Sequence, residues 1–335
     1  MNTSVFCLIC HNENGNTLHR VKEMMFGSGD VFLYMECASC HCLQLVNPPD
    51  DPGKYYPRDY YSLAARPRLP RNSMKRKLRL ARDHYAVFGR GWLGRIVYAR
   101  MPNEALAALS KVQLHGTMRI LDVGCGSGGL LFILAHLGFQ NLSGIDPHIA
   151  DDAELLDGKV RIEKTSLSGF HKHMGAWDMV MMHHSLEHMP DPQAALHAAA
   201  ALLKPGGMLL IRTPTVSSYA WKHYGPDWFQ IDAPRHNFIH SIESMRHLAE
   251  ATGFEVSDVI YDSSEAQFLA SEQYRRGIPL KSERSYRINP QAAGFSRADI
   301  REYRKRAAKL NAMQQGDQAA FYLRKRSAAP SGEIR

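Results

Sequence analysis

The stretch Leu121-Asp122-Val123-Gly124-Cys125-Gly126-Ser127-Gly128-Gly129 joins a short apolar run to a helical pattern and decides the fold. Glycines at such a strand-to-helix turn let the backbone approach a ligand and aim amide groups and a helix N-terminus at it. We therefore expect a nucleotide-type ligand at this turn. Gly124, Gly126 and Gly129 also fit the dinucleotide fingerprint, so the glycines alone do not separate two nucleotide-binding folds.

The chain around this turn alternates between apolar runs and helical patterns. The strand candidates are 119–123, 142–146, 160–164, 178–182, 208–212 and 254–261, with a final short strand at 318–323. The helical stretches between them include 129–137, 193–203 and 242–252. Such alternation predicts an α/β fold, with a doubly wound, mainly parallel sheet of seven strands and right-handed crossovers.

Two acidic residues and a second turn indicate which of the two nucleotide-binding folds this sequence has. Asp122 precedes Gly124 by two residues, where a carboxylate suits a cationic ligand group and is awkward beside a pyrophosphate. Asp146 ends the next strand and can accept hydrogen bonds from both ribose hydroxyls. The turn Lys204-Pro205-Gly206-Gly207 precedes another apolar run. These segments resemble the class I methyltransferases, which use S-adenosylmethionine, over roughly residues 116–262.

The resemblance implies a methyl-donor site at the carboxyl ends of the strands. Leu167, or Ser166 beside it, is expected against the adenine, and His183 and His184 are expected to flank the methionine part of the donor. The residues expected to bind S-adenosylmethionine are Asp122, Gly124, Gly126, Gly128, Asp146, Leu167 and His183. A dinucleotide enzyme and a glycine turn without function are the alternatives.

A histidine-rich segment follows the strand at 178–182. His184 and His188, with Glu187 between them, also match an inverted zinc-peptidase motif, in which two histidines share one helical face. Because the segment falls where a methyltransferase places donor and acceptor contacts, we expect methyl-transfer chemistry instead. His184, His188 and His236 are the predicted catalytic residues, since a histidine can orient or deprotonate an acceptor near neutral pH. Locally satisfied polar turn residues are the alternative.

An aromatic segment runs from Tyr219 to His240 and includes Trp221 and Trp228. Over the acceptor face, such rings can exclude water and hold a sugar ring, and ordinary loop packing is the alternative. Asp232-Ala233-Pro234-Arg235-His236 resembles a pattern of bacterial methyltransferases from polysaccharide and secondary-metabolite pathways. The segment is therefore expected to line the acceptor site.

Five of the six cysteines lie within the first 42 residues. Two C-x-x-C motifs stand 26 residues apart, and four thiolates on two such turns satisfy tetrahedral zinc. The metal would replace a core that so short a segment cannot build. Cys7, Cys10, Cys37 and Cys40 are the predicted ligands of a structural zinc ion, with His11, His41 and Cys42 as substitutes. Redox-active thiols are the alternative.

The order of a zinc ribbon, the segment Tyr55-Tyr56-Pro57-Arg58-Asp59-Tyr60-Tyr61-Ser62 and the core is a second resemblance. It is similar to sugar and polysaccharide methyltransferases with an N-terminal zinc-binding domain, including deoxysugar C-methyltransferases. The expected regions are a zinc ribbon at 1–48, a basic helical linker or cap at 49–115, the core at 116–262, a helical insertion over the acceptor site at 263–315, the last strand at 316–326 and a flexible tail at 327–335.

The chain carries a formal charge of +8, and eleven of its basic residues lie between Arg66 and Arg100 with one acid, Asp83. Such a stripe fits an anionic or phosphorylated substrate, nucleic acid, an anionic membrane face or a solvated helix surface. The apolar and charged fractions, 44% and 22%, are those of an ordinary globular protein. Neither a signal peptide nor a membrane-length apolar run is apparent, so a cytoplasmic protein is expected.

The predicted reaction is methyl transfer from S-adenosylmethionine to a sugar hydroxyl of a nucleotide- or lipid-linked glycan in polysaccharide biosynthesis. The first alternative is an RNA methyltransferase that uses the ribbon and the basic stripe. The second is a donor-binding scaffold without catalysis.

Overall fold

The computed structural model describes residues 6–56 and 67–326. Its strands are β1 (Thr17–Lys22), β2 (Val31–Glu36), β3 (Leu43–Leu45), β4 (Arg119–Val123), β5 (Asn141–Ile145), β6 (Ala153–Leu155), β7 (Val160–Glu163), β8 (Trp177–His183), β9 (Leu203–Pro214), β10 (Phe238–Ile239), β11 (Phe254–Tyr261) and β12 (Gln318–Lys325). Its α-helices are α1 (Ser73–Phe88), α2 (Trp92–Arg100), α3 (Glu104–Ala107), α4 (Gly129–His136), α5 (Pro192–Leu202), α6 (Tyr219–Tyr224), α7 (Ile242–Ala251), α8 (Ala266–Arg275) and α9 (Arg297–Ala312). The tail expected at 327–335 and residues 57–62 of the tyrosine-rich segment lie outside the described residues.

The main sheet has the strand order β11-β12-β9-β8-β4-β5-β7-β6. The strand before the glycine loop, β4, lies in its middle and pairs in parallel with β8 and β5. Antiparallel pairing is confined to β12 and to β6. The carboxyl ends of the parallel strands therefore meet at one edge, where ligands of open α/β sheets bind.

The prediction of seven strands was wrong, because the sheet has eight. The additional strand is β6, which forms an antiparallel hairpin with β7 at the edge of the sheet. Its turn contains Asp157-Gly158, and both residues have positive φ angles, 55° and 81°. That dipeptide is a strong hairpin signal, so the strand was readable from the sequence.

The helix α5 follows the histidine-rich turn, and local signals fix where it begins. The Asp191 side chain accepts a hydrogen bond from the amide of Ala194, and Pro192 occupies the first turn, where its missing N–H costs nothing. One face of the helix buries Leu196 and Leu202 in the core under the sheet. The start of α5 thereby holds the preceding turn against the strand edge.

The cysteine-rich region forms a second sheet, of order β1-β2-β3-β10. The hairpin expected around the second cysteine pair is present, because β2 and β3 pair in antiparallel fashion. The fourth strand comes from the other end of the molecule, with Phe238 opposite Gln44 and Ile239 opposite Leu43. Cys7 and Met35 also share a hydrophobic core with residues under the main sheet. The two parts are therefore packed into one structure.

The helices α8 and α9 pack onto the outside of this junction. Phe268 of α8 and Leu310 of α9 contact a core that contains Trp221, Trp228 and Tyr34. The region between β11 and β12 is thus joined both to the aromatic segment and to the cysteine-rich sheet. Within residues 6–56 and 67–326, no helix combines the length and apolarity that crossing a membrane requires.

Candidate active site

The glycine loop between β4 and α4 has a shape that only glycine permits at two positions. Gly124 and Gly128 have φ angles of 76° and 77°, in the left-handed region. A Cβ at Gly124 would lie 2.5 Å from the Ser185 Cβ, and one at Gly128 would lie 2.3 Å from Cδ1 of Ile162. The loop is therefore packed against the turn after β8 on one side and against β7 on the other.

Asp146 lies directly after β5, beside this loop. One of its carboxylate oxygens accepts from the amide of Gly126 at 2.9 Å, and the other accepts from the amide of His148 at 2.8 Å. Each oxygen keeps a second lone pair, because a carboxylate offers about four acceptor sites. The side chain is thus fixed in direction and can still accept hydrogen bonds from two hydroxyls.

Asp122 is almost completely enclosed, with 3% of its surface exposed. Burial, together with the nearby charge of Asp146, raises the pKa of the Asp122 carboxyl to about 8. A shift of this kind marks a position where an incoming positive charge would stabilise the ionised carboxylate. The expected preference for a cationic ligand group thus has a physical basis.

Leu167 and His183 lie at the ends of β7 and β8. Leu167 is buried in a short 3-10 turn after β7, in which the Ser166 hydroxyl accepts a hydrogen bond from the amide of Gly169. Both ring nitrogens of His183 are buried without a hydrogen-bond partner among the described residues, and burial lowers the pKa of this imidazole to about 3. Buried polar atoms without partners are costly, so a ligand that bonds to His183 would be stabilised.

His184 directly follows β8, and both of its ring nitrogens form hydrogen bonds. Its Nε2 accepts from the Arg212 guanidinium at 2.8 Å, so Nδ1 carries the proton and donates to Glu187 at 3.1 Å. The second oxygen of Glu187 accepts from the Thr213 hydroxyl at 3.0 Å. Burial alone would raise the pKa of Glu187, but the bond from His184 and the neighbouring histidines hold it at about 2. Glu187 is therefore a fixed, ionised carboxylate.

His188 and His236 converge on Glu187 from two segments. Each donates its Nδ1–H to a backbone carbonyl, His188 to Arg235 at 2.8 Å and His236 to Gln230 at 2.9 Å. With Nδ1 donating, Nε2 is the remaining nitrogen of each ring that a ligand can reach. The rings meet edge to face with centroids 4.7 Å apart. One nitrogen of each histidine and one oxygen of Glu187 lie within 4.8 Å of one another.

Burial and the neighbouring His188 lower the pKa of His236 to about 4, so this imidazole is neutral at physiological pH. The donor loop and this cluster are adjacent through Ser185. Its hydroxyl donates to the carbonyl of Val123 at 2.7 Å, and its Cβ is the atom nearest to the space beside Gly124. The predicted donor and acceptor residues are thus brought to one edge of the sheet.

Comparison with known proteins adds to this geometry. A family model described as a methyltransferase domain matches residues 95–259. A ubiquinone biosynthesis O-methyltransferase of Xanthomonas oryzae pv. oryzae is 33% identical over 170 residues, which cover 46% of this chain and 69% of the relative. This chain belongs to the S-adenosylmethionine-dependent methyltransferases. The class I methyltransferase domain inferred from the glycine loop is confirmed.

Two further comparisons belong with these. The ubiquinone biosynthesis O-methyltransferase of Xanthomonas axonopodis pv. citri is 32% identical over 199 residues, covering 53% of this chain and 81% of the relative. A solved methyltransferase from Archaeoglobus fulgidus, described as dependent on S-adenosylmethionine, has a TM-score of 0.40 and 22% identity, covering 69% of this chain and 94% of that chain.

Tyr56 and Arg235, which were not among the predicted catalytic residues of this methyltransferase, lie beside the cluster of Glu187, His188 and His236. The Tyr56 hydroxyl lies 3.2 Å from Nδ1 of His188, and its ring stacks with His148 at 6.1 Å between centroids. Arg235 is fully buried and pairs with Asp232 at 2.7 Å and with Glu23 at 3.0 Å. No local sequence signal joins Glu23 to Arg235, because their partnership depends on tertiary packing alone.

The aromatic segment has a different role from the one expected. Trp221, Tyr224 and Trp228 are buried in a hydrophobic core with Tyr34, and only 1% of Trp228 is exposed. The Trp228 indole N–H donates to the Asp317 carboxylate at 3.0 Å. The expectation that these rings line an open acceptor site was wrong, because they fill the space between the two sheets and the helices outside them.

The four cysteines of the two C-x-x-C motifs form a cluster that could hold a metal ion. The sulfur atoms of Cys7 and Cys40 are 3.6 Å apart, those of Cys10 and Cys37 are 3.5 Å apart, and all four lie within 4.8 Å of one another. Tetrahedral zinc with Zn–S bonds of about 2.3 Å requires sulfur atoms about 3.8 Å apart, so the spacing fits.

The two C-x-x-C motifs also share the same backbone hydrogen bond and the same left-handed residue after the second cysteine. The amide of His11 donates to the carbonyl of Cys7 at 2.9 Å, and that of His41 donates to Cys37 at 3.0 Å. Both histidines have left-handed backbones, with φ angles of 59° and 58°. Cys42 lies outside this cluster and faces Nδ1 of His240 at 3.9 Å. The geometry therefore favours the four predicted ligands over their neighbours.

The basic stripe lies on α1 and α2. Most of its side chains between positions 71 and 100 are exposed, whereas Asp83 is buried. Asp83 is neutralised inside the helix by Arg82, with 2.6 Å between the charged atoms. The outer surface of the stripe is therefore positively charged with no exposed acid among positions 71–100.

Proposed function

We propose that this methyltransferase methylates a hydroxyl oxygen of its acceptor, and that this hydroxyl lies against Glu187, His188 and His236. The observation that carries the proposal is the convergence of one carboxylate and two imidazoles, of which His236 is held neutral by burial, beside the glycine loop. A hydroxyl is a weak nucleophile until its proton is withdrawn, and such groups supply that function near neutral pH.

The reaction is an in-line displacement. The acceptor O–H bond breaks and its proton leaves through the cluster. The oxygen lone pair forms the new O–CH₃ bond while the S–CH₃ bond breaks, so the products are a methyl ether and S-adenosylhomocysteine. The protein contributes chiefly by fixing the two reactants in line, which removes much of the entropic cost of their encounter.

The geometry of the glycine loop supports an assignment of the donor contacts. We assign the methionine part to Asp122, Gly124, Gly126, Gly128 and His183, because the carboxylate and the unpartnered imidazole are both buried there. Asp146 would accept from the ribose hydroxyls. Leu167 would cover the adenine, since it is the apolar side chain at the end of β7.

The acceptor we propose is a sugar hydroxyl in a nucleotide- or lipid-linked glycan. The exposed basic stripe on α1 and α2 supports a phosphorylated carrier, because a cluster of arginines and lysines attracts phosphate groups. A phenolic hydroxyl is the second candidate. It is favoured by the ubiquinone biosynthesis O-methyltransferases to which the chain is similar.

We propose that the cysteine cluster binds structural zinc. Four thiolates leave no open coordination position, so the ion would stabilise the N-terminal sheet and take no part in methyl transfer. All six cysteines are free thiols, which suits the reducing conditions of the cytoplasm.

The experiment supplies labelled S-adenosylmethionine with nucleotide-linked sugars, lipid-linked glycans, catechols or structured RNA. Label on a sugar hydroxyl is the expected result. His236→Ala should reduce turnover by about 10²- to 10⁴-fold, the usual contribution of a group that transfers a proton. The matched control is His171→Ala, an exposed histidine elsewhere on the chain. Label on catechol would select the second candidate, and label on RNA alone would overturn the proposal. Donor binding without turnover on any acceptor would identify a scaffold.

A further inference from the structure

The acceptor cluster contains the ligand set of a metal site. Glu187, His188 and His236 each offer one ligand atom, and the three atoms lie within 4.8 Å of one another. Two imidazoles and one carboxylate bind first-row divalent metals and leave coordination positions open for substrate. A simple general base needs one imidazole, whereas here two are held beside a carboxylate.

The groups behind these ligands are arranged as they are in metal sites. A metal-bound histidine nearly always donates its other N–H to a carbonyl or carboxylate, which fixes the nitrogen that faces the metal. His188 and His236 both do so, through Nδ1–H bonds to the carbonyls of Arg235 and Gln230. Metal-bound carboxylates are themselves hydrogen-bonded, and Glu187 accepts from His184 and Thr213.

The local charge also favours a cation. Glu187 is completely buried, and among the described residues it pairs with the imidazole of His184 and with no lysine or arginine. The nearby guanidinium groups are already paired, that of Arg212 with Asp262 and that of Arg235 with two carboxylates. A buried carboxylate without a cationic partner is costly, and a divalent ion would supply one.

We infer that Glu187, His188 and His236 bind a divalent metal ion, and that the acceptor is held on this ion through two adjacent oxygen atoms. The catalytic part of this inference rests on the proposed O-methylation. A bound divalent ion lowers the pKa of a coordinated hydroxyl, so its proton is released to solvent water before the oxygen attacks the methyl group, and the three metal ligands do not have to accept it. The metal keeps its oxidation state throughout. Vicinal diols and catechols therefore bind better than isolated hydroxyls.

The first experiment measures metal binding and the type of ligand. The full-length protein is treated with a chelator and then titrated with Co²⁺, whose absorption distinguishes thiolate ligands from nitrogen and oxygen ligands. We expect a nitrogen- and oxygen-ligated Co²⁺ in the wild type and its loss in His188→Ala and His236→Ala. His171→Ala serves as the matched control and should retain it. Unchanged binding in both ligand variants would overturn the inference.

Folding is checked independently of the cluster. His236 is buried, so His236→Ala can fail to fold, whereas His188 is half-exposed and its variant carries the test alone if necessary. Binding of S-adenosylhomocysteine, which uses the glycine loop, reports whether each variant is native. A variant that binds this product normally and lacks the nitrogen- and oxygen-ligated Co²⁺ supports the metal site.

The second experiment separates the metal from the reaction. Metal-stripped enzyme is compared with enzyme reloaded with Zn²⁺ or Mn²⁺, on one acceptor with two adjacent hydroxyls and on its analogue with a single hydroxyl. We expect at least a 100-fold loss on stripping, restored by reloading, with the diol preferred. Undiminished turnover by stripped enzyme would overturn the catalytic part of the inference and leave the O-methylation intact. Metal binding without methylation of any hydroxyl would overturn the proposed function and leave the metal site intact.

Discussion

The proposed donor half and the proposed acceptor half of the active site differ in how they are built. The donor half is one contiguous loop, in which Gly124 and Gly128 have left-handed backbones, together with Asp146 directly after the next strand. The acceptor half is made of side chains from segments far apart in the chain, and Tyr56 and His236 both belong to it. One half therefore depends on local backbone conformation, and the other depends on tertiary packing.

The acceptor half is also attached to the cysteine-rich sheet. The Tyr34 hydroxyl donates to the carbonyl of His236 at 2.7 Å, and the neighbouring Arg235 is paired with Glu23. The position of His236 thus depends on residues about 200 positions away in sequence. Variants in the two halves should accordingly have separable effects, and those effects can be ordered by size.

The largest effect is expected from Glu23→Ala. This buried carboxylate accepts from the amides of four successive residues, 25–28, and from Arg235. Removing one partner of a buried ion pair costs about 3–5 kcal/mol. Urea unfolding should show this loss, and methyl transfer should fall in the protein that stays folded. Glu13→Ala, at an exposed site of the same cysteine-rich region, should change the free energy of unfolding by less than about 0.5 kcal/mol. Equal stability of the two variants would show that the ion pair between Glu23 and Arg235 does not couple the cysteine-rich sheet to the acceptor half.

The donor half is tested by Gly124→Ala against Gly129→Ala. The first adds a Cβ that overlaps Ser185 and forces a non-glycine residue into a left-handed backbone, whereas the second adds a Cβ with no heavy atom within 4 Å. Strain of this kind costs about 1–3 kcal/mol, so the loop should shift away from Ser185, and a shift that loses about 3 kcal/mol of donor contacts lowers the donor affinity about 100-fold. Calorimetric titration with S-adenosylhomocysteine should show this loss for Gly124→Ala and a change below about threefold for Gly129→Ala. Similar affinities for both variants would contradict a backbone-built donor site.

A pH dependence of donor binding should sharpen the same distinction. Asp122 has a pKa of about 8 in the donor-free protein, so it is mainly protonated at neutral pH. A cationic donor favours the ionised form, and its affinity should rise by up to tenfold per pH unit below about pH 8 and then level off. Asp122→Asn should remove this slope, as measured by titration between pH 6 and 9. A wild-type affinity independent of pH would place the cation elsewhere.

The stability of the donor-free protein should change in the opposite direction. The Asp122 pKa is raised above its unfolded value, about 3.9, so the folded state holds this proton more tightly than the unfolded state. The resulting contribution to stability is present at pH 4 and is lost as the pH rises through 8. Denaturant unfolding of wild type and Asp122→Asn across this range measures it, and parallel curves for the two proteins would exclude it.

The smallest effect is expected from Tyr34→Phe. The ring remains buried, but the hydrogen bond to the carbonyl of His236 is lost, at a cost of about 1–2 kcal/mol. Because His236 loses one of its fixed contacts, kcat should fall severalfold while donor affinity stays unchanged. Kinetics and product binding on the same preparation measure both quantities. A loss of donor affinity equal to the loss of kcat would show that the halves are not independent.

The sequence was sufficient for much of the donor half. The strand predicted at 119–123 is β4 itself, because an apolar run that ends in a glycine turn is a local signal. The missed strand β6 had a local signal as well, in Asp157-Gly158, but the run before it has only three residues. Elements whose conformation depends on residues close in sequence, such as β4, could therefore be predicted from the sequence.

The acceptor half was predicted as a set of residues but not as an arrangement. His184, His188 and His236 were singled out, yet the sequence does not show that His184 supports Glu187 from behind while the other two converge on it. Trp228 is an aromatic residue in a loop, and only tertiary packing shows that it is buried. Contacts between distant segments leave no periodic trace in the sequence, so they could not be inferred.

The short strand β10 has a consequence for engineering. Because Phe238–Ile239 completes the sheet that carries the cysteine cluster, a chimaera cut near residue 48 would sever main-chain hydrogen bonds and expose the edge of β3. A graft that is to keep its fold must exchange the N-terminal residues together with the loop around β10. That loop also carries His236, so exchanging it together with the N-terminal residues would exchange part of the proposed acceptor site as well.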